Sequence, residues 1–190
     1  MNAAKVLAVT VLAGSVSIGL ALLGERWLDP DEQPTERRRH GASHGLLDSL
    51  PRFRLPDLEG REISSDQWAD RVVVLNFWAT WCPPCVREMP LLDEWQRRHG
   101  QQGLQMVGIA IDRADEVAAF LDEHPVGYPI LLGGMDSVAL ARGLGNRTGG
   151  LPFTVVFDRF GHRVFSYLGE LDETLLMSEI GPLLPDAGQE

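Results

Sequence analysis

Both cysteines of this 190-residue chain lie in one short stretch, Trp81-Cys82-Pro83-Pro84-Cys85. Two thiols three positions apart on the first turn of a helix can close a small disulfide ring and reopen it, which is the chemistry of a dithiol switch. The same spacing is half of a zinc site, but zinc needs four ligands and no second cysteine pair exists. Nor can two cysteines in this spacing staple a fold, so the pair reads as catalytic rather than as inert thiols.

The elements that must position the pair follow from its flanks. Arg71-Val-Val-Val-Leu-Asn-Phe-Trp78 is β-branched and aromatic without a helical period, so it reads as a buried strand. Strand, short turn and helix put Cys82 at a helix N-terminus, where free backbone N–H groups and the macrodipole favour thiolate over thiol. Cys82 is then the expected exposed nucleophile and Cys85, one turn in, the resolving thiol. Pro83 and Pro84 suit first-turn positions, whose N–H groups have no helical partner in any case.

Asn76-Phe-Trp-Ala-Thr-Trp-Cys-Pro-Pro-Cys85 resembles the active-site segment of the thioredoxin superfamily, and Val86-Arg-Glu-Met-Pro90 resembles its membrane-anchored TlpA/ResA branch of extracytoplasmic thiol-disulfide oxidoreductases. The likeness runs from Leu50 to Leu184. It implies a thioredoxin-like α/β fold, with a central mixed β-sheet flanked by helices, a helix-strand insertion and an N-terminal β-hairpin, preceded by one transmembrane helix. It implies no cofactor beyond the Cys82–Cys85 disulfide and no metal. The implied partners are thiol or disulfide groups of exported proteins, such as apocytochrome c haem-site thiols or copper-site thiols, and a membrane electron donor of the DsbD/CcdA type.

The resemblance also assigns roles. A proline just before a buried strand is by itself an ordinary strand-start residue. By likeness, Pro152 in Gly149-Gly-Leu-Pro152-Phe-Thr-Val-Val-Phe-Asp158 is the cis proline facing the disulfide. It would aim the backbone of Leu151 at an extended substrate and keep metals from the dithiol. Phe153 stands where the cytochrome-maturation members carry an acidic residue. Asn76 stands where thioredoxin has a buried aspartate, and it cannot accept a proton. Glu88, three residues after Cys85, matches the acidic residue of ResA-like proteins and is the expected proton acceptor with a raised pKa. The alternative is a surface glutamate favoured by the helix dipole. Trp81, with Pro83 and Pro84, is expected to form the surface on which substrate rests, and Trp78 to lie in the core.

Composition bounds the rest. At 44% hydrophobic, 190 residues can build one domain with appendages. With 27 acidic against 17 basic residues, the chain lacks the basic face that nucleic acid would need. Residues 1–5 are expected to be a cytoplasmic N-terminus and 6–24 a transmembrane signal anchor, since Val6 to Leu23 is an almost unbroken apolar run behind Lys5. At helical rise it spans about 27 Å, close to the ~30 Å hydrocarbon core. A cleaved signal, with small Gly19 and Ala21, is the competing reading. The run continues through Leu22 and Leu23, which favours the uncleaved anchor, and no cysteine follows it for lipidation. Either reading exports the rest, which places the catalytic domain on the periplasmic side of a bacterial inner membrane. Arg37-Arg38-Arg39 runs against the positive-inside tendency. Residues 25–48 are polar, carry Pro30 and Pro34, and read as a linker to a domain over 49–190. His40 and His44 read as solvated linker side chains, because nothing nearby completes a metal site.

Along the domain, Phe53 to Ile63 predicts a hairpin turning at Gly60, and Ser65-Asp66 a capped turn carrying Trp68. Cys85, Met89, Leu92 and Trp95 predict a helix over Pro83 to His99, bent at Pro90. Then follow a strand over Leu104 to Ile111, a helix over Ala114 to Glu123, a strand over Tyr128 to Leu132 and a helix from an Asp136-Ser137 cap to Arg142. Ala114 to Leu132 matches the branch's insertion in place and size. Asp158-Arg-Phe-Gly161 predicts a hairpin into Arg163 to Leu168. Asp172 predicts the cap of a closing helix with Leu175, Leu176, Ile180 and Leu183 inward, and the tail after Pro185 reads as loose.

Two rivals remain at this point. A disulfide-donating oxidant would use the same residues. A copper-delivery or scaffold module on the same fold would more typically carry a CxxxC spacing and a distant histidine. A peroxidase is disfavoured because the pair is not part of a Thr-x-x-Cys motif.

Overall fold

The structure, a computed structural model, describes residues 47–185. The expected anchor, most of the expected linker, His40 and His44 lie outside the described residues. Among the described residues no helix is long and apolar enough to cross a membrane.

The chain opens with the antiparallel pair β1 (Arg54–Pro56) and β2 (Glu62–Ser64). Gly60 turns between them at a φ of +76°, and the Asp57 carboxylate accepts the N–H groups of Glu59 and Arg61 at 3.0 and 2.9 Å. That is the asparagine-type turn a short acidic side chain makes with its own backbone. The 3₁₀ turn over Ser65–Trp68 is capped by Ser64 rather than by Ser65-Asp66 as expected. The Ser65 hydroxyl is instead buried, accepting from Phe53 N–H at 3.1 Å and donating to the Pro51 carbonyl at 3.0 Å.

Next come β3 (Val72–Trp78), α1 (Pro83–His99), β4 (Leu104–Ala110), α2 (Ala114–Glu123), β5 (Ile130–Leu132), α3 (Gly134–Gly143), β6 (Phe153–Phe157), β7 (Arg163–Leu168) and α4 (Glu173–Glu179). They form a five-stranded sheet in the order β5-β4-β3-β6-β7. β3, β4 and β5 run parallel, joined by crossovers long enough to reverse direction twice. β6 is antiparallel to both β3 and β7, and a tight turn at Asp158–Gly161 joins it to β7.

Strand alternation sorts β3 onto two faces. Val73, Leu75 and Phe77 pack with Trp68, Ala141 and Leu144, while Val72, Val74 and Trp78 pack with Met89, Leu92 and Trp95 of α1 and with Leu176 of α4. Fully burying each such side chain contributes about 1.5–3 kcal/mol. Two polar residues share the α1 face. Asn76 of β3 and Thr154 of β6 stand directly opposite in register, and both are buried. Gly108 of β4 has a packing reason, since a Cβ there would lie 2.5 Å from Ile130 Cδ1 and 3.1 Å from Trp78 Nε1.

Helix α3 begins at Gly134, not at an Asp136-Ser137 cap. Gly133 N–H donates to the Ala110 carbonyl at 2.9 Å, so the chain turns into the helix directly from the sheet, and Ser137 donates back to the Gly134 carbonyl at 2.8 Å. Asp172 does cap α4, accepting Leu175 N–H at 2.8 Å. Leu176 and Ile180 are buried as expected, while Leu175 and Leu183 are half-buried. The expected linker already touches the domain at its end. Leu47 N–H donates to the Gly143 carbonyl at 2.9 Å, and Asp48 pairs with Arg163 at 3.0 Å.

Candidate active site

Strand β3 delivers the chain to Cys82, which is the N-cap of α1, and Pro83 and Pro84 fill the first turn. Cys82 and Cys85 form a disulfide, with Cα atoms 5.3 Å apart. The loop before them is tied down. Thr80 donates from its N–H and its hydroxyl to one oxygen of Asp112, at 3.1 and 2.5 Å, which fastens the turn to the end of β4. Trp81 stands out from this turn at 67% exposure, and Trp78 is wholly buried.

One expectation needs correction. Cys82 is not openly exposed: it retains 4% of its surface, against 0% for Cys85. Its side chain is part of the apolar cluster containing Met89 and Trp78, so only an edge of the pair meets solvent.

Glu88 is not a surface residue either. It is 1% exposed, on the helix face that also buries Cys85 and Met89. Its Oε1 accepts from Asn76 Nδ2 at 2.7 Å and its Oε2 from the backbone N–H of Leu171 at 2.7 Å. Asn76 Nδ2 also donates to Thr154 Oγ1 at 3.1 Å. Among the described residues no cation pairs with Glu88. Desolvation by burial lifts its carboxyl from 4.5 to about 7, against the pull of the Leu171 and Asn76 donors, and the nearby Glu170 charge adds to the rise. Glu170 is itself held by Arg87, one residue before Glu88, at 2.5 Å.

The Leu151–Pro152 peptide bond is cis, as the resemblance implied. Pro152 is buried, and its carbonyl accepts from Gly169 N–H at 2.9 Å. Leu151 is half-buried against the cluster that contains both cysteines. Neither its N–H nor its C=O has a hydrogen-bond partner among the described residues. Such a free backbone edge can pair with an extended chain.

The sequence reading missed Thr154, Leu171 and Asp112, and saw Asn76 only as a residue unable to accept a proton. Two of these had a signal. Asn76 and Thr154 are the polar interruptions of otherwise apolar strands, Val-Val-Val-Leu-Asn-Phe-Trp and Phe-Thr-Val-Val-Phe, and a polar side chain in a buried strand demands a partner.

At 36% identity over 114 residues, the chain is similar to the thiol-disulfide oxidoreductase ResA of Geobacillus thermodenitrificans, the match spanning 60% of this chain and 63% of that relative. It is similar to the ResA of Bacillus thuringiensis at 28% identity over 136 residues, 71% of this chain and 76% of the relative. Among solved structures it is similar to a thioredoxin-related protein from Neisseria meningitidis serogroup B, at 35% identity and a TM-score of 0.61, over 68% of this chain and 97% of that one. The AhpC/TSA family model matches residues 46–162, more than half of the chain. With this match, a thioredoxin-like mixed sheet and a cysteine pair at the head of α1, the chain belongs to the AhpC/TSA family, and within it resembles the ResA-type proteins.

Proposed function

We propose that the chain is an exported thiol-disulfide oxidoreductase that reduces disulfides in other exported proteins, anchored through 6–24 in a bacterial inner membrane with the domain over 49–190 outside. Its substrates are thiol pairs awaiting haem or copper, and a membrane electron donor restores its own dithiol. The observation that carries this reading is the pairing of a cysteine couple at the N-terminus of α1 with a buried carboxylate that has no cation beside it among the described residues.

The chemistry follows from that placement. In the reduced protein the Cys82 thiolate, favoured by the positive end of the α1 macrodipole and by the Cys85 N–H, since Pro83 and Pro84 carry none, attacks one sulfur of a substrate disulfide. The substrate S–S bond breaks, a mixed disulfide forms and the first substrate thiolate leaves. Cys85 then gives its proton to Glu88 and attacks Cys82 Sγ. The second substrate thiolate leaves, and Cys82 and Cys85 are oxidised together by two electrons. A carboxyl near 7 is suited to this transfer, because it is partly free to accept a proton at neutral pH yet releases it again. Trp81 and the unpartnered backbone of Leu151 would hold the substrate chain on either side of the sulfurs. The Thr80 hydroxyl is engaged by Asp112, which weighs against its use on a peroxide.

The test is the equilibrium reduction potential of the Cys82/Cys85 couple in the full chain. A value near or below that of thioredoxin, about −270 mV, fits an exported reductant. A value toward about −120 mV would make the protein a donor of disulfides and reverse the proposed direction.

A further inference from the structure

Asn76 sits in the middle of β3 at 2% exposure, with its amide nitrogen shared between Glu88 Oε1 and Thr154 Oγ1. Its amide oxygen is buried and has no partner among the described residues. A buried carbonyl oxygen left without a donor carries an uncompensated desolvation cost. A strand position opposite Thr154 could carry an apolar side chain without that cost, so the amide calls for an explanation beyond packing.

The two carboxylate oxygens of Glu88 differ in one respect. Oε2 meets a backbone N–H, that of Leu171, which can only donate. This donor favours Oε2 as the carbonyl-type oxygen, so a proton arriving on Glu88 rests on Oε1, facing Asn76. There an O–H would confront the N–H of Nδ2, donor against donor. Rotating the amide by half a turn resolves the conflict. Asn76 Oδ1 then accepts from the Glu88 hydroxyl, and its second lone pair accepts from the Thr154 hydroxyl, which can rotate to donate. The nitrogen would take the slot now held by the unpartnered oxygen, so each orientation leaves one amide atom without a partner. Among the described residues no third group bonds the amide to prefer either one, and the proton on Glu88 decides.

We infer that Asn76 is a positioning residue whose side-chain amide reverses as Glu88 takes up and releases the Cys85 proton, with Thr154 as the two-way partner that accepts in one state and donates in the other. This rests on the proposed role of Glu88 as proton acceptor. It explains how a residue that cannot itself carry the proton serves at the position where thioredoxin has an acid: it offers hydrogen bonds to both forms of Glu88 without any backbone movement. The other ionisable groups acting on Glu88 are Glu170, held by Arg87, the buried phenol of Tyr128 and the Cys85 thiol one turn away on α1. Tyr128 is itself pushed upward by burial and stays neutral, so it adds no charge.

The experiment is a pH titration of the full-length, ¹³C,¹⁵N-labelled oxidised chain by NMR, following the Glu88 carboxyl carbon and the Asn76 side-chain NH₂ together. The oxidised form removes the Cys85 thiol from the titration. At high pH both Asn76 amide protons should lie downfield, each hydrogen-bonded; at low pH both should move upfield, with the same midpoint as the Glu88 carbon. If Glu88 titrates while the Asn76 protons stay downfield, the reversal is wrong and the Glu88 role survives. If Glu88 shows no midpoint between pH 5 and 9, the proton-acceptor reading fails instead. Asn76→Leu supplies a functional readout: the pH profile of mixed-disulfide resolution should broaden or shift, with the chain still folded. An unchanged profile would overturn a positioning role.

Discussion

Helix α1 buries two carboxylates, five residues apart, and treats them in opposite ways. Glu88 and Asp93 are 1% and 9% exposed, and each accepts a backbone N–H from a distant loop, Leu171 at 2.7 Å and Gly127 at 2.6 Å. Asp93 turns its other oxygen to the guanidinium of Arg97, one turn along the helix. Glu88 turns its other oxygen to the neutral amide of Asn76. A buried carboxylate with a guanidinium beside it can anchor a loop, here the one between α2 and β5. An unpaired one is driven toward neutrality by desolvation and becomes a group that titrates near neutral pH. The same helix thus carries a fastening and a proton store, and the difference is one cation.

The largest effect is expected at the sulfurs. Cys82→Ala should abolish reduction of a disulfide substrate, and Cys85→Ala should accumulate mixed disulfides through Cys82, visible on non-reducing gels. Equal trapping by Cys82→Ala would reverse the assigned roles. Next, Glu88→Gln should slow resolution of the mixed disulfide by about 10²-fold or more at neutral pH, the usual scale of a lost general base. A stopped-flow trace with unchanged rate would reduce Glu88 to a structural residue.

Stability separates the two carboxylates further. Since Glu88 is raised from 4.5 to about 7, the folded chain binds its proton more tightly than the unfolded chain between these values. Its stabilising contribution is full below about 4.5 and is lost as pH rises through about 7, a change of order 3 kcal/mol. Glu88→Gln should therefore flatten the fall in stability over this window and leave the chain more stable above it, as measured by denaturant midpoints at a series of pH values. Asp93→Ala should instead lower stability, by about 0.5–1.5 kcal/mol for the lost Gly127 N–H bond, with the Cys82/Cys85 potential unmoved. The smallest effect belongs to the flanking ion pair. Glu170→Gln removes a negative charge near Glu88 and should lower its midpoint, whereas Arg87→Gln uncovers that charge and should raise it. Shifts in the same direction would mean that the pair acts by packing rather than by charge.

Much of this molecule was legible from the chain alone because the signals are local. The cysteine spacing, the apolar run of β3 and the apolar face of α1 lie within Val72 to His99, and neighbouring residues dictate them. Helices α1 and α2 have the boundaries that periodicity predicts. The helix caps were less legible. Ser64 and Ser65 are both able to cap, and only the buried contacts of Ser65 with Pro51 and Phe53 decide between them.

The amino-acid sequence by itself determined that a dithiol would stand at the start of a helix behind a buried strand, and that an acid would follow one turn later. What that acid becomes was decided by tertiary structure. Its partners come from 12 residues before it, at Asn76, and 83 residues after it, at Leu171, while Thr154 reaches Asn76 across 78 residues. A carboxyl's pKa depends on its desolvation and on the groups within hydrogen-bond reach, and neither is a property of neighbours along the chain.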